Sequence, residues 1–202
     1  MIVQQGKIGG CSFKDVQIQT KKKLRENILS LLRNQKEEDR LKKSRVIQKK
    51  LFKETGFKCS KTILFYFAFD GEVETLEMIS QAKKIGKKIA LPSIIKAQKR
   101  IVPIVIENLQ KDLCDGPYGI KQPRYDKKKS LDFDEMDLVI VPGIAFDRNN
   151  YRLGRGAGYY DRFLGALPSH VPTLGLAFDF QIVDSIPHLQ EHDVPVSRVI
   201  VN

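Results

Sequence analysis

The sequence predicts an α/β fold with three layers, in which an open, mostly parallel sheet is covered by helices on both faces. Short, uninterrupted apolar runs such as 62–67 and 137–141 are typical of strands buried on both sides. Between the apolar runs lie longer segments whose apolar residues recur every three or four positions, as in an amphipathic helix. This alternation favours a parallel sheet, because parallel strands need a crossover connection that is usually a helix.

Two helices are predicted near the start of the chain. Thr20 is a good N-cap residue for the first, whose apolar positions follow the spacing i, i+4, i+7 and i+8. These positions are Leu24, Ile28, Leu31 and Leu32. The second helix is predicted from Glu37 to Glu54 and is expected to stop at Gly56. Its expected buried residues are Leu41, Ile47, Leu51 and Phe52.

Further strands and helices are predicted after residue 60. The strands are expected over residues 62–67, 88–91, 101–106, 137–141, 173–178 and 198–201. The helices are expected over residues 73–85 and 159–167. The first of these helices is expected to bury Leu76, Ile79, Ala82 and Ile85. Pro92 is expected to end the second strand, and Pro103 indicates an edge position for the third, since proline donates no ladder hydrogen bond. Residues 111–130 are expected to be rich in loops.

The composition indicates one globular domain, predicted over residues 20–202, after an extension over residues 1–19 that is expected to be poorly ordered. A chain of 202 residues with 42% hydrophobic residues can bury a sizeable core. No apolar run approaches the ~20 residues that span a bilayer, and the N-terminus lacks the apolar block of a secretory signal. The three cysteines follow no metal-ligand spacing. We therefore predict a cytoplasmic protein.

The formal net charge of +11 is concentrated in the two N-terminal helices. Residues 1–54 contain 15 Lys and Arg against 6 Asp and Glu, whereas residues 55–202 contain 20 against 18. A solvated helix surface is the simplest interpretation, and attraction of a polyanionic small molecule is the alternative. RNA binding is not expected, because no aromatic residues lie among the early lysines to stack on bases.

The most informative segment is 152–162, which reads Arg-Leu-Gly-Arg-Gly-Ala-Gly-Tyr-Tyr-Asp-Arg. Glycine at every second position from 154 to 158 lets the backbone approach a ligand closely and adopt a positive φ where required. Successive amide groups exposed in this way form a concave anion-binding surface. Arg152 and Arg155 add guanidinium groups that suit phosphate oxygens. The segment is therefore predicted to bind phosphate.

The familiar nucleotide-binding motifs do not match this segment. A P-loop has Lys followed by Ser or Thr after its last glycine, where this chain has Tyr159 and Tyr160. A dinucleotide-binding motif has its glycines directly after the strand, whereas residues 142–151 separate the two here. There is also no Gly-X-Ser-X-Gly sequence and no evident Cys/His nucleophile pair, so covalent catalysis by the protein is not expected.

Asp161 is a candidate metal ligand near the start of a predicted helix. A carboxylate at that position also favours the helix dipole, so a structural role is the alternative. A carboxylate beside phosphate can recruit Mg²⁺, which takes few protein ligands and completes its octahedron with phosphate oxygens and water. The spacing leaves the second carboxylate open between Asp193 and Glu191. His188 and His192 are not expected to bind zinc, because flanking prolines oppose a helix and no third ligand is evident.

Residues 141–147 and 152–162 together resemble the signature of the 5-formyltetrahydrofolate cyclo-ligases, also called 5,10-methenyltetrahydrofolate synthetases. Shorter matches occur in the same order from residue 21 to the C-terminal part of the chain, and residues 1–19 lie outside the resemblance. The matching segments are 21–25, 71–75, 86–92, 119–123 and 192–195.

This resemblance implies an enzyme that uses ATP and Mg²⁺ to cyclise 5-formyltetrahydrofolate to 5,10-methenyltetrahydrofolate. ADP and phosphate are released, through an imidate phosphate formed on the formyl oxygen. The implied fold is the open α/β sandwich of sugar-phosphate isomerases and CoA transferases, and an isomerase that needs neither ATP nor Mg²⁺ is the alternative enzyme. The expected partners are ATP and the folate, free or polyglutamylated, with no nucleic acid and no membrane. The protein is expected to be a monomer.

The resemblance also implies the site residues. ATP contacts correspond to Lys21, Arg25, Arg152, Leu153, Gly154, Arg155, Gly156, Ala157, Gly158, Tyr159 and Tyr160. Folate contacts correspond to Phe67, Glu72, Arg155, Gly156, Ala157, Gly158 and Tyr159. The magnesium carboxylates correspond to Asp161 and Asp193. The expected catalytic residues are Arg152, Arg155 and Tyr160.

Two positions depart from the family pattern. Asn150 stands where the family usually has glycine, although asparagine also tolerates the left-handed conformation. Ala157 replaces a residue that is often Gly or Lys, so a positive charge or extra backbone freedom is missing there.

Overall fold

A computed structural model of the protein describes residues 20–191 and 193–202, so the extension predicted over residues 1–19 lies outside the described residues. The helices are α1 (Lys21–Asn34), α2 (Glu37–Leu51), α3 (Thr55–Cys59), α4 (Leu76–Lys84), α5 (Leu109–Asp112) and α6 (Tyr159–Ala166). The strands are β1 (Thr62–Leu64), β2 (Lys88–Ile95), β3 (Arg100–Val105), β4 (Leu113–Asp115), β5 (Lys121–Pro123), β6 (Leu138–Val141), β7 (Ala145–Asp147), β8 (Arg152–Leu153), β9 (Thr173–Ala177), β10 (Ile182–Val183) and β11 (Arg198–Val201).

The central sheet has six strands in the order β11-β9-β6-β1-β2-β3. Adjacent strands are parallel from β11 to β2, and only β3 runs antiparallel to its neighbour β2. β3 lies at the edge, as Pro103 indicated. The prediction that Pro92 ends a strand was wrong. β1 pairs with β2 only as far as Ala90, so Pro92 meets only β3, where it lies opposite Pro103 and leaves no N–H unpaired.

The apolar side chains of the strands alternate between two clusters, one on each face of the sheet. On one face, residues such as Ile63 and Ile140 pack against α1, α2, α3 and α4. On the other face, Leu64 and Val139 pack against α6 and the loops around it. Successive residues of a strand point to opposite faces of the sheet. Both faces are covered by protein and exclude water, which explains the uninterrupted apolar runs. The predicted three-layer α/β fold is confirmed.

Some predicted boundaries were wrong. The first strand ends at Leu64 rather than at residue 67, and the second helix ends at Leu51 rather than at Glu54. A separate short helix that was not predicted, α3, begins at Thr55. Gly56 therefore lies inside α3 rather than ending a helix. α4 begins at Leu76 rather than at residue 73. Within the predicted loop at 111–130, β4 and β5 form an antiparallel hairpin.

Three of the apolar residues assigned to helix cores are exposed. Leu31 is 50% exposed, and α1 instead buries Leu24, Ile28 and Leu32. Leu76 is the first residue of α4 and Ile85 directly follows its last residue, and both are exposed as well. Apolar spacing marks the core-facing side of a helix but not the length over which the sheet covers it. In the part of the chain that the structure describes, no helix has both the length and the apolarity to cross a membrane.

Candidate active site

A cleft of about 790 Å³ lies at the carboxyl ends of the neighbouring strands β1 and β6. Such edges of parallel sheets are the usual ligand-binding position in α/β proteins. One part of its lining is apolar and consists of Phe67, Pro92, Ile94, Ile101 and Ile120. Another part is polar and consists of Asp70, Glu72, Arg152 and the segment 154–161. The cleft therefore offers an apolar surface and a charged surface to one ligand or to two adjacent ligands.

The glycine segment is anchored by a small sheet that the sequence did not predict. In this sheet β7 lies between β10 and β8, and β8 begins the segment at Arg152. The buried carboxylate of Asp147 accepts hydrogen bonds from the backbone N–H groups of Asn149, Tyr151 and Ile186 at 2.9, 3.0 and 3.2 Å. Asn150 adopts a φ of 65°, so asparagine fills the position where the family usually has glycine in the conformation expected of it.

The glycines of the segment serve different needs. Gly156 and Gly158 have φ values of 97° and 69°, which side chains rarely tolerate. Gly154 has an ordinary φ, but a Cβ there would lie 2.5 Å from Nη1 of Arg152. A Cβ at position 154 would thus displace the packed arginine, whereas side chains at positions 156 and 158 would strain the backbone.

Arg152 is buried beneath the segment, with 7% of the residue exposed. Its Nη2 donates to Oδ1 of Asp161, and its guanidinium carbon lies 5.4 Å from the ring centre of Tyr160. Its Nε is buried and has no hydrogen-bond partner among the described residues. A buried cation with an unused donor beside a cleft is suited to an anionic ligand.

Arg155 reaches across the cleft to the segment that follows β1. Its Nη1 donates to Oδ2 of Asp70 at 2.8 Å, and its Nη2 donates to Oε1 of Glu72 at 3.4 Å. Its guanidinium carbon lies 4.0 Å from the ring centre of Phe69, a cation–π contact. Three contacts from one short segment therefore hold this guanidinium in the cleft.

Glu72 is a buried carboxyl group in the cleft wall. Burial raises its pKa to about 7, while Arg155 and the Phe69 N–H group, 3.3 Å from Oε2, oppose the rise. Burial, together with the nearby charge of Glu72, also raises the pKa of Tyr160 above its ordinary value, so Tyr160 is a neutral hydroxyl donor at physiological pH. The site thus combines a carboxyl group that titrates near neutrality with a phenol that does not ionise there.

A tight turn carries these contacts. The Glu72 N–H donates to Phe69 O at 3.1 Å, and both central residues, Asp70 and Gly71, have positive φ. Gln35, after the end of α1, donates from Nε2 to Leu32 O and Gly71 O at 3.0 and 3.1 Å. The turn is therefore fastened to the C-terminal end of α1.

The Gly71→Ala substitution should lower the free energy of unfolding by at least about 2 kcal/mol. Gly71 has a φ of 83°, and a Cβ there would lie 2.2 Å from Leu32 O. Urea denaturation measures the loss. Gly56→Ala is the matched control, because no described atom lies within 4 Å of a Cβ at that position inside α3. This control should gain roughly 0.5–1 kcal/mol. Equal stability of the two variants would contradict the close packing of the turn.

The N-terminal half of α1 contacts the glycine segment and the C-terminal region. Arg25 Nε donates to Gly154 O at 2.8 Å. Lys21 Nζ forms an ion pair with Asp193 Oδ2 at 2.6 Å, and Thr20 caps the helix, accepting from the Lys23 N–H. Both ends of α1 thus touch segments of the candidate site, although Arg25 and Gly154 are 129 positions apart in sequence.

Most of the residues predicted for the site meet in the cleft. Those that line it are Phe67, Glu72, Arg152, Gly154, Arg155, Gly156, Ala157, Gly158, Tyr159, Tyr160 and Asp161. Those outside the lining are Lys21, Arg25, Leu153 and Asp193. Leu153 is 1% exposed and packs in the core, and its carbonyl group accepts from the Ile144 N–H at 2.8 Å, so this residue is not open to the cleft. The two predicted magnesium carboxylates are each paired with a different cation, Arg152 for Asp161 and Lys21 for Asp193.

Several residues of the site were not predicted from the sequence. Phe69 and Asp70 contact Arg155, and Arg33 binds Asp70. An Asp-Gly pair is a strong turn signal and could have drawn attention to Asp70 beside Glu72. Nothing in the sequence links Arg33 to this turn, because it lies on a different element. The apolar lining from β2, β3 and the β4–β5 hairpin was missed for the same reason.

Comparison with known proteins identifies the family. The model of the 5-formyltetrahydrofolate cyclo-ligase family matches residues 17–202. The chain belongs to this family. A probable 5-formyltetrahydrofolate cyclo-ligase of Caenorhabditis elegans is 31% identical over 192 residues, which cover 90% of this chain and 92% of the relative. The 5-formyltetrahydrofolate cyclo-ligase of Escherichia coli K12 is 32% identical over 141 residues, covering 69% of this chain and 76% of the relative.

Solved structures of family members share the fold. The NMR structure of Aquifex aeolicus 5,10-methenyltetrahydrofolate synthetase matches with a TM-score of 0.78 and 30% identity, covering 90% of this chain and 89% of that one. The Mycoplasma pneumoniae 5,10-methenyltetrahydrofolate synthetase matches with a TM-score of 0.72 and 26% identity, covering 89% of this chain and 97% of that one. Both comparisons span nearly the whole described chain.

Proposed function

We propose that this cyclo-ligase family member cyclises 5-formyltetrahydrofolate to 5,10-methenyltetrahydrofolate with consumption of ATP, through phosphorylation of the formyl oxygen. The observation that carries the proposal is the shared cleft, which joins a glycine segment and two arginines to a buried carboxyl group and an apolar lining. The first set of groups suits the phosphates of a nucleotide, and the second suits a flat, donor-rich ring such as a pterin. The reaction requires both ligands side by side.

In this proposal the ATP phosphates bind along the glycine segment. Its amides, Arg152 and Arg155 would neutralise the phosphoryl group in transfer, and Lys21 and Arg25 would contribute charge from α1. Arg152 supports this role because its unused Nε donor is buried at the cleft. Phosphoryl transfer needs mainly positioning and charge neutralisation, both of which fixed guanidinium groups supply.

Asp161 and Asp193 would hold Mg²⁺. Their carboxylate oxygens are the hard ligands that Mg²⁺ prefers, and Asp161 lines the cleft. No cluster of three or more acidic, histidine or cysteine side chains suited to a metal occurs among residues 20–191 and 193–202, so phosphate oxygens and water would complete the coordination. When bound, the ion would neutralise charge on the ATP phosphates. For each carboxylate, binding requires a change in its present ion pair with Arg152 or Lys21.

The proposed chemistry has two steps. The formyl oxygen attacks the γ-phosphorus of ATP, a new P–O bond forms, and the bond to the bridging oxygen breaks to release ADP. N10 then attacks the activated formyl carbon, the C–O bond to phosphate breaks, and phosphate and the N10 proton leave. Activation is needed because the formyl group is amide-like, which makes it a weak electrophile with a poor leaving group. Arg155 lies between the two ligand regions and would serve both steps.

Glu72 and the apolar lining would orient the folate. A carboxylate accepts the N–H donors of a pterin, while Phe67 and the side chains from β2 and β3 cover apolar surface. Tyr160 would donate its hydroxyl to an oxygen at the junction of the two ligands. The monomeric state, the cytoplasmic location and the use of polyglutamylated folates stay predictions.

The direct test is to incubate the protein with 5-formyltetrahydrofolate, ATP and Mg²⁺ and to follow the near-ultraviolet absorbance of the methenyl product. Product should form only when all three are present, and one ADP should appear per product molecule. A sugar-phosphate isomerase on the same fold would show no ATP-dependent absorbance change. Product formation without ATP consumption would contradict the phosphorylated intermediate.

Asp161→Asn should raise the KM for Mg-ATP about tenfold and change the Kd for the folate by less than about twofold. Loss of one carboxylate ligand weakens metal binding, while the acceptor oxygen for Arg152 is retained. Initial rates measure the first quantity and calorimetry measures the second. Asp184→Asn is the matched control, because Asp184 forms an exposed ion pair with Arg148. An unchanged KM for Mg-ATP would remove Asp161 from the metal site.

A further inference from the structure

We propose that Asp70 is a positioning residue that holds the guanidinium of Arg155 in its working place, with Arg33 and Phe69 completing the support. This inference rests on the proposed function, in which Arg155 contacts the transferring phosphoryl group. None of these three supporting residues belongs to the signature of glycines, arginines and tyrosines at 152–162. They come from α1 and from the turn after β1.

Asp70 lies between two arginines and uses both carboxylate oxygens. Its Oδ1 and Oδ2 accept from Nε and Nη2 of Arg33 at 2.8 and 2.9 Å, which is a two-point contact. The same Oδ2 accepts from Nη1 of Arg155 at 2.8 Å. Hydrogen bonding by Arg33 holds the pKa of Asp70 below its ordinary value, so this residue is a carboxylate at neutral pH. A carboxylate oriented by one arginine is thereby presented in a fixed direction to the other.

The backbone conformation of Asp70 also helps to fix the direction of its carboxylate. Asp70 has a φ of 52° in the turn that Gln35 fastens to α1. Aspartate and asparagine both tolerate this conformation because their short side chains hydrogen-bond locally. A purely conformational requirement would therefore be met equally well by asparagine. The negative charge is instead required by the ion pairs with Arg33 and Arg155, and the double-mutant cycle below isolates the part that acts through Arg155.

The second carboxyl group near Arg155 explains why positioning is needed. Nη2 of Arg155 lies 3.4 Å from Oε1 of Glu72, which is buried in the cleft wall. A charge pair at a buried site is weakly screened, so Glu72 attracts the guanidinium inwards. Asp70, at the shorter distance of 2.8 Å and in the turn, opposes this displacement. The ring of Phe69 supports one face of the guanidinium, which leaves the remaining donors for an anion.

The test is a double-mutant cycle of Asp70→Asn and Arg155→Ala, in which kcat and the Kd for Mg-ATP are measured for each variant. Alone, Asp70→Asn should lower kcat roughly tenfold, since a displaced catalytic group costs rate steeply. In the Arg155→Ala background the same substitution should change kcat and Kd by less than about twofold, because there is no guanidinium left to position. Thermal melting should show a folded protein for every variant.

Asp179→Asn is the matched control. Asp179 also accepts from a cationic side chain, Lys43 at 2.9 Å, but it is exposed and does not line the cleft. This control should keep wild-type kcat. Arg33→Gln should lower kcat two- to threefold, because Asp70 then loses its orienting partner but keeps Arg155.

Two results would overturn the inference. The first is an Asp70→Asn variant with wild-type kcat. The second is an Asp70→Asn substitution that lowers kcat equally in the presence and in the absence of the Arg155 side chain, as a general structural effect would. Failure of the proposed function gives a different result, namely a wild-type protein that forms no methenyl product. In that case the same double-mutant cycle, measured through the Kd for Mg-ATP, still tests the positioning role of Asp70.

Discussion

Arg155→Ala should lower kcat for methenyl formation by roughly 10²–10³-fold, the loss typical of a fixed donor that stabilises charge in the transition state. Arg155 extends from the glycine segment and meets Asp70, Glu72 and Phe69 across the cleft. It is therefore held before any ligand arrives, so little reorganisation is needed during the reaction. Steady-state rates at saturating folate and Mg-ATP measure the effect.

This loss should not come from unfolding. The side chain of Arg155 is 31% exposed and contributes no area to the apolar core, so we expect only a small change in thermal stability. Arg148→Ala is the matched control, because Arg148 lies before the same segment and forms only an exposed ion pair with Asp184. It should keep wild-type turnover. A normal kcat in Arg155→Ala would exclude its role in charge stabilisation.

Glu72→Ala should weaken binding of 5-formyltetrahydrofolate by about 10- to 100-fold, which corresponds to the loss of hydrogen bonds to a charged acceptor. The Kd for Mg-ATP should change much less, because Glu72 lies outside the glycine segment. Calorimetric titration with each ligand separates the two affinities. Glu77→Gln, at an exposed carboxyl group of α4, is the control and should bind both ligands normally.

The pH dependence of folate binding provides a second test of Glu72. Burial raises the pKa of this carboxyl group to about 7, and the folate is proposed to bind its ionised form. Protonation therefore competes with the folate, so the Kd should rise about tenfold for each pH unit below 7 and level off above it. Glu72→Gln should bind more weakly and without this dependence. A wild-type Kd that is constant from pH 5.5 to pH 8 would contradict the assignment.

Several features of the fold could be predicted from local sequence. The uninterrupted apolar runs identified β1, β6 and β9, because a strand buried on both faces excludes most polar residues along its length. The glycine segment was recognised for a related reason, since glycine adopts the positive φ values found at Gly156 and Gly158 more readily than other residues. In both cases the residues that determine the local structure lie within a few positions of it in the sequence.

Boundaries were predicted less well because they depend on neighbours. β2 continues through Pro92 only because β1 has ended and Pro103 lies opposite. Leu31 and Leu76 have the spacing of core residues but are 50% and 43% exposed. The segment at residues 142–151, between β6 and the glycine segment, contains β7, which pairs with strands that come later in the chain. No local pattern contains this information.

The sequence by itself determined the layered α/β architecture, the position of the glycine segment and the resemblance that the family comparison confirmed, because each rests on residue types at short spacing. Only the tertiary structure decided which side chains surround Arg155, placing Asp70 and Glu72 from the turn after β1 beside it and Arg33 from α1 against Asp70. Those contacts join residues up to 85 positions apart, as Asp70 and Arg155 are. The packing of α1 and β1 in one layered core brings them together, and core packing specifies apolar volume rather than the polar groups at its edge.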